Sequence, residues 1–291
     1  MRLLLSADDL IALFERNEPI APEQFYAWLK SRAGCLVLTG TSVVEASASL
    51  LEAGRRTALQ SLLRAVANVP VCYLKEIAIF VEELGGALVA FGRGKEPLKV
   101  DPYVARWSDT LGISLGKSYS SQGILETVTH LWRTAPEALR HFHRYQEILA
   151  EDFADEPPAP ELDVSFTEPS LQRFARYLER QLKLHGFAHS QSRTRAFASW
   201  VYSSPLRCPG LRLAFEVNQE LLKQGGKAPA DPTLRGLGHL HAIPYVDAIT
   251  LLPPLLEYCQ SISSALQQRN PVVPYAGRIH PNLQSVRQQW P

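Results

Sequence analysis

The stretch His239-Leu240-His241-Ala242-Ile243-Pro244-Tyr245-Val246-Asp247-Ala248-Ile249-Thr250 decides the reading of this chain. A polar helix end passes through Pro244 into an apolar run of β type that carries one carboxylate, Asp247. Proline cannot continue a helix interior, so the change of structure falls there. Working outward, two more apolar runs end in acids. Arg2–Ser6 leads into Asp8-Asp9. Cys35–Thr39 leads into Ser42-Val43-Val44-Glu45. Short uninterrupted apolar runs read as strands buried on both faces, which is the habit of a parallel sheet.

Helical spacing fills the intervals. Phe25, Tyr26, Trp28 and Leu29 follow Pro22 at a helix start, and Gly34 stops that helix. Thr41 or Ser42 can cap the next helix, with Glu45 in its first turn. Val71–Leu74 reads as a third strand and Glu76–Leu88 as an apolar helix interrupted by Glu82-Glu83. The segment 92–123 reads as loop. Helices are expected at 124–133, 136–150, 171–184, 193–202, 211–223 and 234–241, with a last long helix after Pro253. Segment 151–164 has a Pro-Pro-Ala-Pro core among six acids, the composition of an exposed linker. The expected fold is α/β, with a central, mostly parallel sheet of about four or five short strands wrapped by helices. Residues 1–91 and 231–291 build that sheet, and 103–226 form a helical insertion within one domain.

The chain has 291 residues and a formal net charge of +1, so no global field commits it to nucleic acid or to membrane. No apolar run reaches the roughly 20 residues that span a bilayer. The four cysteines are widely spaced, without a C-x-x-C pair. Cys35 and Cys72 lie in apolar runs and read as small buried hydrophobes in a reducing, cytoplasmic compartment.

The order of these pieces resembles a PIN-like nuclease domain. The resemblance is carried by the first strand running into acids, the helix start Ser42–Glu45, the late helix–strand unit with Asp247 near its joint, and the closing turn Gly277-Arg278-Ile279-His280-Pro281-Asn282-Leu283. Segment 239–250 is similar to a longer bacterial branch of the family that carries Asp-x-x-His, then Pro-Tyr-Val-Asp, then Thr-x-Asp. Three positions depart from the family pattern. Ser6 stands where the first strand usually delivers an aspartate, Gly236 stands at the Asp of Asp-x-x-His, and Leu252 stands at the Asp of Thr-x-Asp. His239 and Thr250 are retained.

The resemblance implies engagement of nucleic acid, RNA in the first instance. Phosphodiester hydrolysis would use Mg²⁺ or Mn²⁺ held by hard oxygen ligands. The catalytic set would be Asp8, Glu45 and Asp247, with Asp9 as a further metal ligand. With those acids depleted, the alternative is a pseudoenzyme: a binding or scaffold subunit, with a protein partner, in a bacterial defence or toxin–antitoxin system. Each acid also has a plainer reading. Asp8 or Asp9 can cap the following helix, and Glu45 can be a solvated first-turn acid. His239 and His241, two apart, fall on different helix faces and do not chelate.

One further pattern bears on binding. Arg173, Arg176, Arg180 and Lys183 recur at spacings of three and four, so they share one helix face. Arg193, Arg195, Arg207 and Arg212 follow. Between Glu168 and Arg212 only Glu168 and Glu179 oppose these eight cations. Tyr177, Phe187, Trp200 and Tyr202 are interleaved, an arrangement that can hold a phosphate backbone and stack unpaired bases. A solvated face, or one packed on the acidic linker, has the same composition.

Overall fold

The computed structural model describes residues 1–66, 68–105, 168–187, 191–223, 237–272, 275 and 277–291. The expected helices at 124–133 and 136–150, the acidic linker 151–164 and the position of Gly236 lie outside the described residues.

Six strands form one sheet in the order β4-β3-β2-β1-β5-β6. They are β1 (Arg2–Leu4), β2 (Cys35–Thr39), β3 (Val71–Leu74), β4 (Tyr103–Val104), β5 (Ala248–Thr250) and β6 (Ile279–His280). All pairings are parallel except β3 with β4. The antiparallel β4 falls in a segment expected to be loop. Two residues are too few to show a period. The strand exists because Tyr103 and Val104 pair with Leu74 and Tyr73 at an edge.

Neighbouring residues of each strand face opposite layers, as a period of two requires. Leu4, Val37, Leu74 and Ile249 face one core, while Leu3, Leu5, Leu36, Leu38 and Ala248 face the other. The second layer holds α1 (Ala7–Ile11) with a π-helical turn (Ala12–Arg16), α2 (Pro22–Ser31), α3 (Gly40–Glu52), α4 (Arg56–Val66) and, later in the chain, α10 (Leu283–Gln289). The first layer holds α5 (Glu76–Gly92), α8 (Pro209–Lys223) and α9 (Leu255–Arg269). Beyond it, α6 (Glu168–Leu184) and α7 (Gln191–Tyr202) pack on α5 and α8 around Phe174, Phe197 and Phe215. Among the described residues of the middle of the chain, α8 covers the sheet, and α6 with α7 covers α8.

Gly34 allows the tight passage from α2 to β2. A Cβ there would lie 2.9 Å from the Met1 carbonyl oxygen, which is backbone and cannot yield. Strand β5 is shorter than its apolar run, because Leu237–His241 and Ile243–Tyr245 form 3₁₀ turns and the ladder begins only at Ala248.

Cys35 and Cys72 correct the sequence reading. They sit on adjacent strands with Cα atoms 5.9 Å apart and are disulfide-bonded. Spacing of 37 residues hides what strand pairing brings together. Cys208 and Cys259 are free and buried. No helix among the described residues is long and apolar enough to cross a membrane.

Candidate functional site

Strand β1 pairs with β2 on one side and β5 on the other, so the direction of winding reverses between β1 and β5. In open α/β sheets a crevice opens outside the carboxyl ends of the strands at such a switch point. Here those ends deliver Ser6, Thr39, Thr250 and His280. A cavity of about 450 Å³ lies at this edge, lined among others by Asp8, Asp9, Arg16, Arg55, Leu252 and Asn282.

Hydrogen bonds hold the edge closed. The Ser6 N–H donates to Thr250 Oγ1 at 2.8 Å, tying the ends of β1 and β5. Ser6 is also the N-cap of α1: its Oγ accepts from the Asp9 N–H at 3.2 Å and donates to Asp9 Oδ2 at 3.0 Å. Asp9 Oδ1 accepts from the Leu283 N–H at 3.3 Å, at the start of α10. The cap is therefore Ser6, not Asp8 or Asp9, and Asp9 is the third-position acid that answers it. Asp8 is exposed on the wall of the cavity.

Glu45 lies deeper in α3 than expected. Thr39 and Ser42 form a reciprocal capping box, so the helix starts at Gly40 and Glu45 falls in its second turn. Glu45 Oε2 meets His239 Nε2 at 3.0 Å, across 194 residues. His239 is 2% exposed, and Glu45 Oε1 is buried without a hydrogen bond. Thr250 is fully buried. The ring of His241 packs on Phe80 at 5.1 Å, apart from the Glu45 pair.

Asp247 stands at the opposite edge of the sheet. It precedes β5, so a parallel ladder puts it beside the start of β1. Its Oδ2 accepts from the Arg2 N–H at 2.7 Å, and its own N–H donates to the Arg2 carbonyl at 2.9 Å. Nearby, the Arg2 guanidinium lies 4.3 Å above the Tyr103 ring, and Arg278 donates to the Pro244 carbonyl at 2.7 Å. Asp247 is a structural clasp of the amino edge. The expected trio of Asp8, Glu45 and Asp247 is not brought together.

The structure does not gather the full donor set that the resemblance implies for a divalent metal. Mg²⁺ and Mn²⁺ need several hard oxygens on one ion. Asp9 spends both oxygens on the fold, Glu45 gives one to His239, and Asp247 is on the far edge. Among the described residues no three His, Cys, Asp or Glu side chains group as a metal site.

The most perturbed acid escaped the sequence reading. Glu83 was visible only as an interruption of an apolar helix. It is 3% exposed and accepts from the Gly210 and Leu211 N–H groups at 2.9 Å each and from the Tyr245 hydroxyl at 2.5 Å. Burial pushes its carboxyl up to about 7, against the opposing pull of those three donors. Burial and the adjacent Glu83 push the Tyr245 hydroxyl up as well. Glu83 thus joins α5, the start of α8 and the 3₁₀ turn before β5.

The basic segment is partly dismantled. Arg207 pairs with Glu96 at 2.6 Å and lies 4.2 Å above the Trp200 ring. Arg212 is buried, paired with Glu216 at 2.7 Å and stacked on Tyr202 at 3.6 Å. Tyr177 and Tyr202 are core residues, while Phe187 and Trp200 pack against that core, so the interleaved aromatics are packing, not a stacking platform. Arg176, Lys183, Arg193 and Arg195 are exposed, and Arg173 and Arg180 are half-buried. No family model, no curated protein and no solved structure matches this chain.

Proposed function

We propose that the chain is a PIN-like protein that engages nucleic acid without cutting it, a binding or scaffold subunit of the kind found in bacterial defence or toxin–antitoxin systems. What supports the PIN-like reading is the strand order, with β1 central, four further parallel strands placed two on each side of it, and Glu45 on the helix after β2. The single observation that carries the non-cleaving reading is the occupation of that edge. Ser6 replaces the leading acid and caps α1, while Glu45 is engaged by His239. Hydrolysis of a phosphodiester needs strong charge stabilisation where the transition state forms. Here Asp9 is tied to the α1 cap and Glu45 to a histidine, which leaves only Asp8 and one Glu45 oxygen at that edge to supply it.

The test is incubation of 5′-labelled RNA with the wild type and with Glu45→Ala in Mn²⁺. Neither protein is expected to cut above the buffer control. Cutting by the wild type that disappears in Glu45→Ala overturns the reading and restores Glu45 to a catalytic role. A protein scaffold that ignores nucleic acid is the outcome in which neither protein retains labelled RNA at low salt.

A further inference from the structure

We propose that His280 is an acid-sensitive latch that holds the end of the closing helix α10 against the sheet. This goes beyond nucleic-acid engagement and stands whether or not the chain engages RNA. His280 ends β6. Ile279 before it faces the first core, so the His280 ring turns to the second layer, as a period of two requires. There it meets Trp290, the residue just after α10, with ring centroids 5.6 Å apart and planes at 65°. The Trp290 carbonyl accepts from the Trp28 indole N–H at 3.0 Å, and its ring packs against the second core. The end of α10 is thus held chiefly at Trp290, by a ring contact from β6 and a hydrogen bond from α2. Gln289 adds one long bond, to the Gly277 carbonyl at 3.4 Å. The beginning of α10 is fastened separately, by the Asn282–Ser285 capping box and by Asp9 on the Leu283 N–H.

The surroundings of the ring make this contact sensitive to protons. His280 is 8% exposed, and among the described residues its Nε2 is buried and meets no hydrogen-bond partner. A neutral imidazole tolerates this, because Nε2 can be the nitrogen without hydrogen. An imidazolium carries N–H on both nitrogens, so Nε2 would present a charged donor to apolar neighbours. No counter-ion stands ready. β5 sets Thr250 beside His280, α9 touches β6 through Gln260 at the Ile279 carbonyl, and the single charged side chain of α10 is Arg287, itself a cation. Asp9 of α1 faces the other end of α10. Burial lowers the pKa of His280 from the ordinary 6.5, against an opposing pull from the Gly277 backbone. The freed ring takes its proton at the ordinary value and the latched ring only at lower pH. The latch is therefore whole above 6.5 and is lost as pH falls from there through the latched value. Glu83 has the opposite sign, since acid strengthens the fold there, so its titration does not imitate the latch.

The test is fluorine NMR of the whole chain labelled with fluorotryptophan, from pH 8 to pH 5, with the Trp290 resonance assigned by its loss in Trp290→Phe. In the wild type that resonance should move toward its position in the urea-unfolded chain as pH falls below 6.5, while circular dichroism stays that of the folded chain. His280→Phe keeps a ring beside Trp290 and takes no proton, so the resonance should hold its pH 8 position down to pH 5. His280→Gln serves the same purpose with a polar side chain, should phenylalanine disturb β6. His185 is a second histidine whose pKa burial lowers, but it packs on Phe80. His185→Gln should therefore leave the Trp290 transition in place. Four outcomes overturn the latch. The wild-type resonance stays fixed across the range. It moves equally in both His280 variants. It moves only together with loss of the folded circular dichroism, which is global unfolding. Or it moves away from the unfolded position, because the indole face attracts the imidazolium and acid tightens the contact.

Discussion

Glu83 shows what burial does to a single residue here. In the unfolded chain its carboxyl loses its proton at the ordinary 4.5, whereas in the folded chain it holds the proton to about 7. Between those values the folded chain binds more protons than the unfolded chain, so stability is highest below the window and falls as pH rises through it. The difference corresponds to about 3 kcal/mol between the two limits. Thermal melts of wild type and Glu83→Gln at pH 5 and pH 8 should show this. The wild type should lose more stability than the variant on going to pH 8, since the amide does not titrate. Equal losses would mean that Glu83 stays ionised in the fold, held by the three donors that point at it. At the same scale the acids of the sheet sort by partner. Their identities were legible in the sequence, but whether each one is free for chemistry depends on whether a helix cap, a histidine or a backbone N–H has claimed it.

Elements carry the next level. The Ser6 cap and the Thr39–Ser42 capping box start α1 and α3 at residues that local rules permit. The helix α3 starts earlier than a Thr41 or Ser42 cap would place it, because Thr39 takes the cap and Ser42 answers it from the third position. The pairing that caps cannot reveal is the one between strands. β2 and β3 are adjacent and parallel, and their N-terminal halves hold Cys35 and Cys72. Closing a loop of this length restricts the unfolded chain by an amount worth about 2–4 kcal/mol. Dithiothreitol should therefore lower the urea midpoint of the wild type, and Cys35→Ser with Cys72→Ser should show the lower midpoint with or without it. An unchanged midpoint on reduction would show that the two thiols are not joined in solution. Strand β4 belongs to the same lesson, for a two-residue edge strand exists only through the partner it meets.

For the whole molecule the decisive element is α8. Leu213, Ala214 and Val217 pack on the sheet, while Leu211 and Phe215 pack on α6 and α7. One helix contributes to two cores, so the outer helices and the sheet lose their packing together. Urea unfolding followed by tryptophan fluorescence and by far-ultraviolet circular dichroism should give one transition with coincident midpoints. Two separated transitions would show that α6 and α7 are an independent unit. The sheet itself has the same character. β1 begins the chain, β5 and β6 come near its end, and all three lie side by side.

The main strand runs, the turn at Pro244 and the α/β class were readable in the amino-acid order, because strand and helix periods are local and the apolar faces declare them. Tertiary structure alone decided which acids meet. Asp247 sits one residue before a parallel strand and Glu45 lies in the helix after another, so they end at opposite edges. The same holds for His239 reaching Glu45, for the disulfide, and for aromatics that look like a stacking surface and are core. Such partnerships depend on register and layer, which join residues 37 to 194 positions apart in these cases, and local sequence pattern does not encode them.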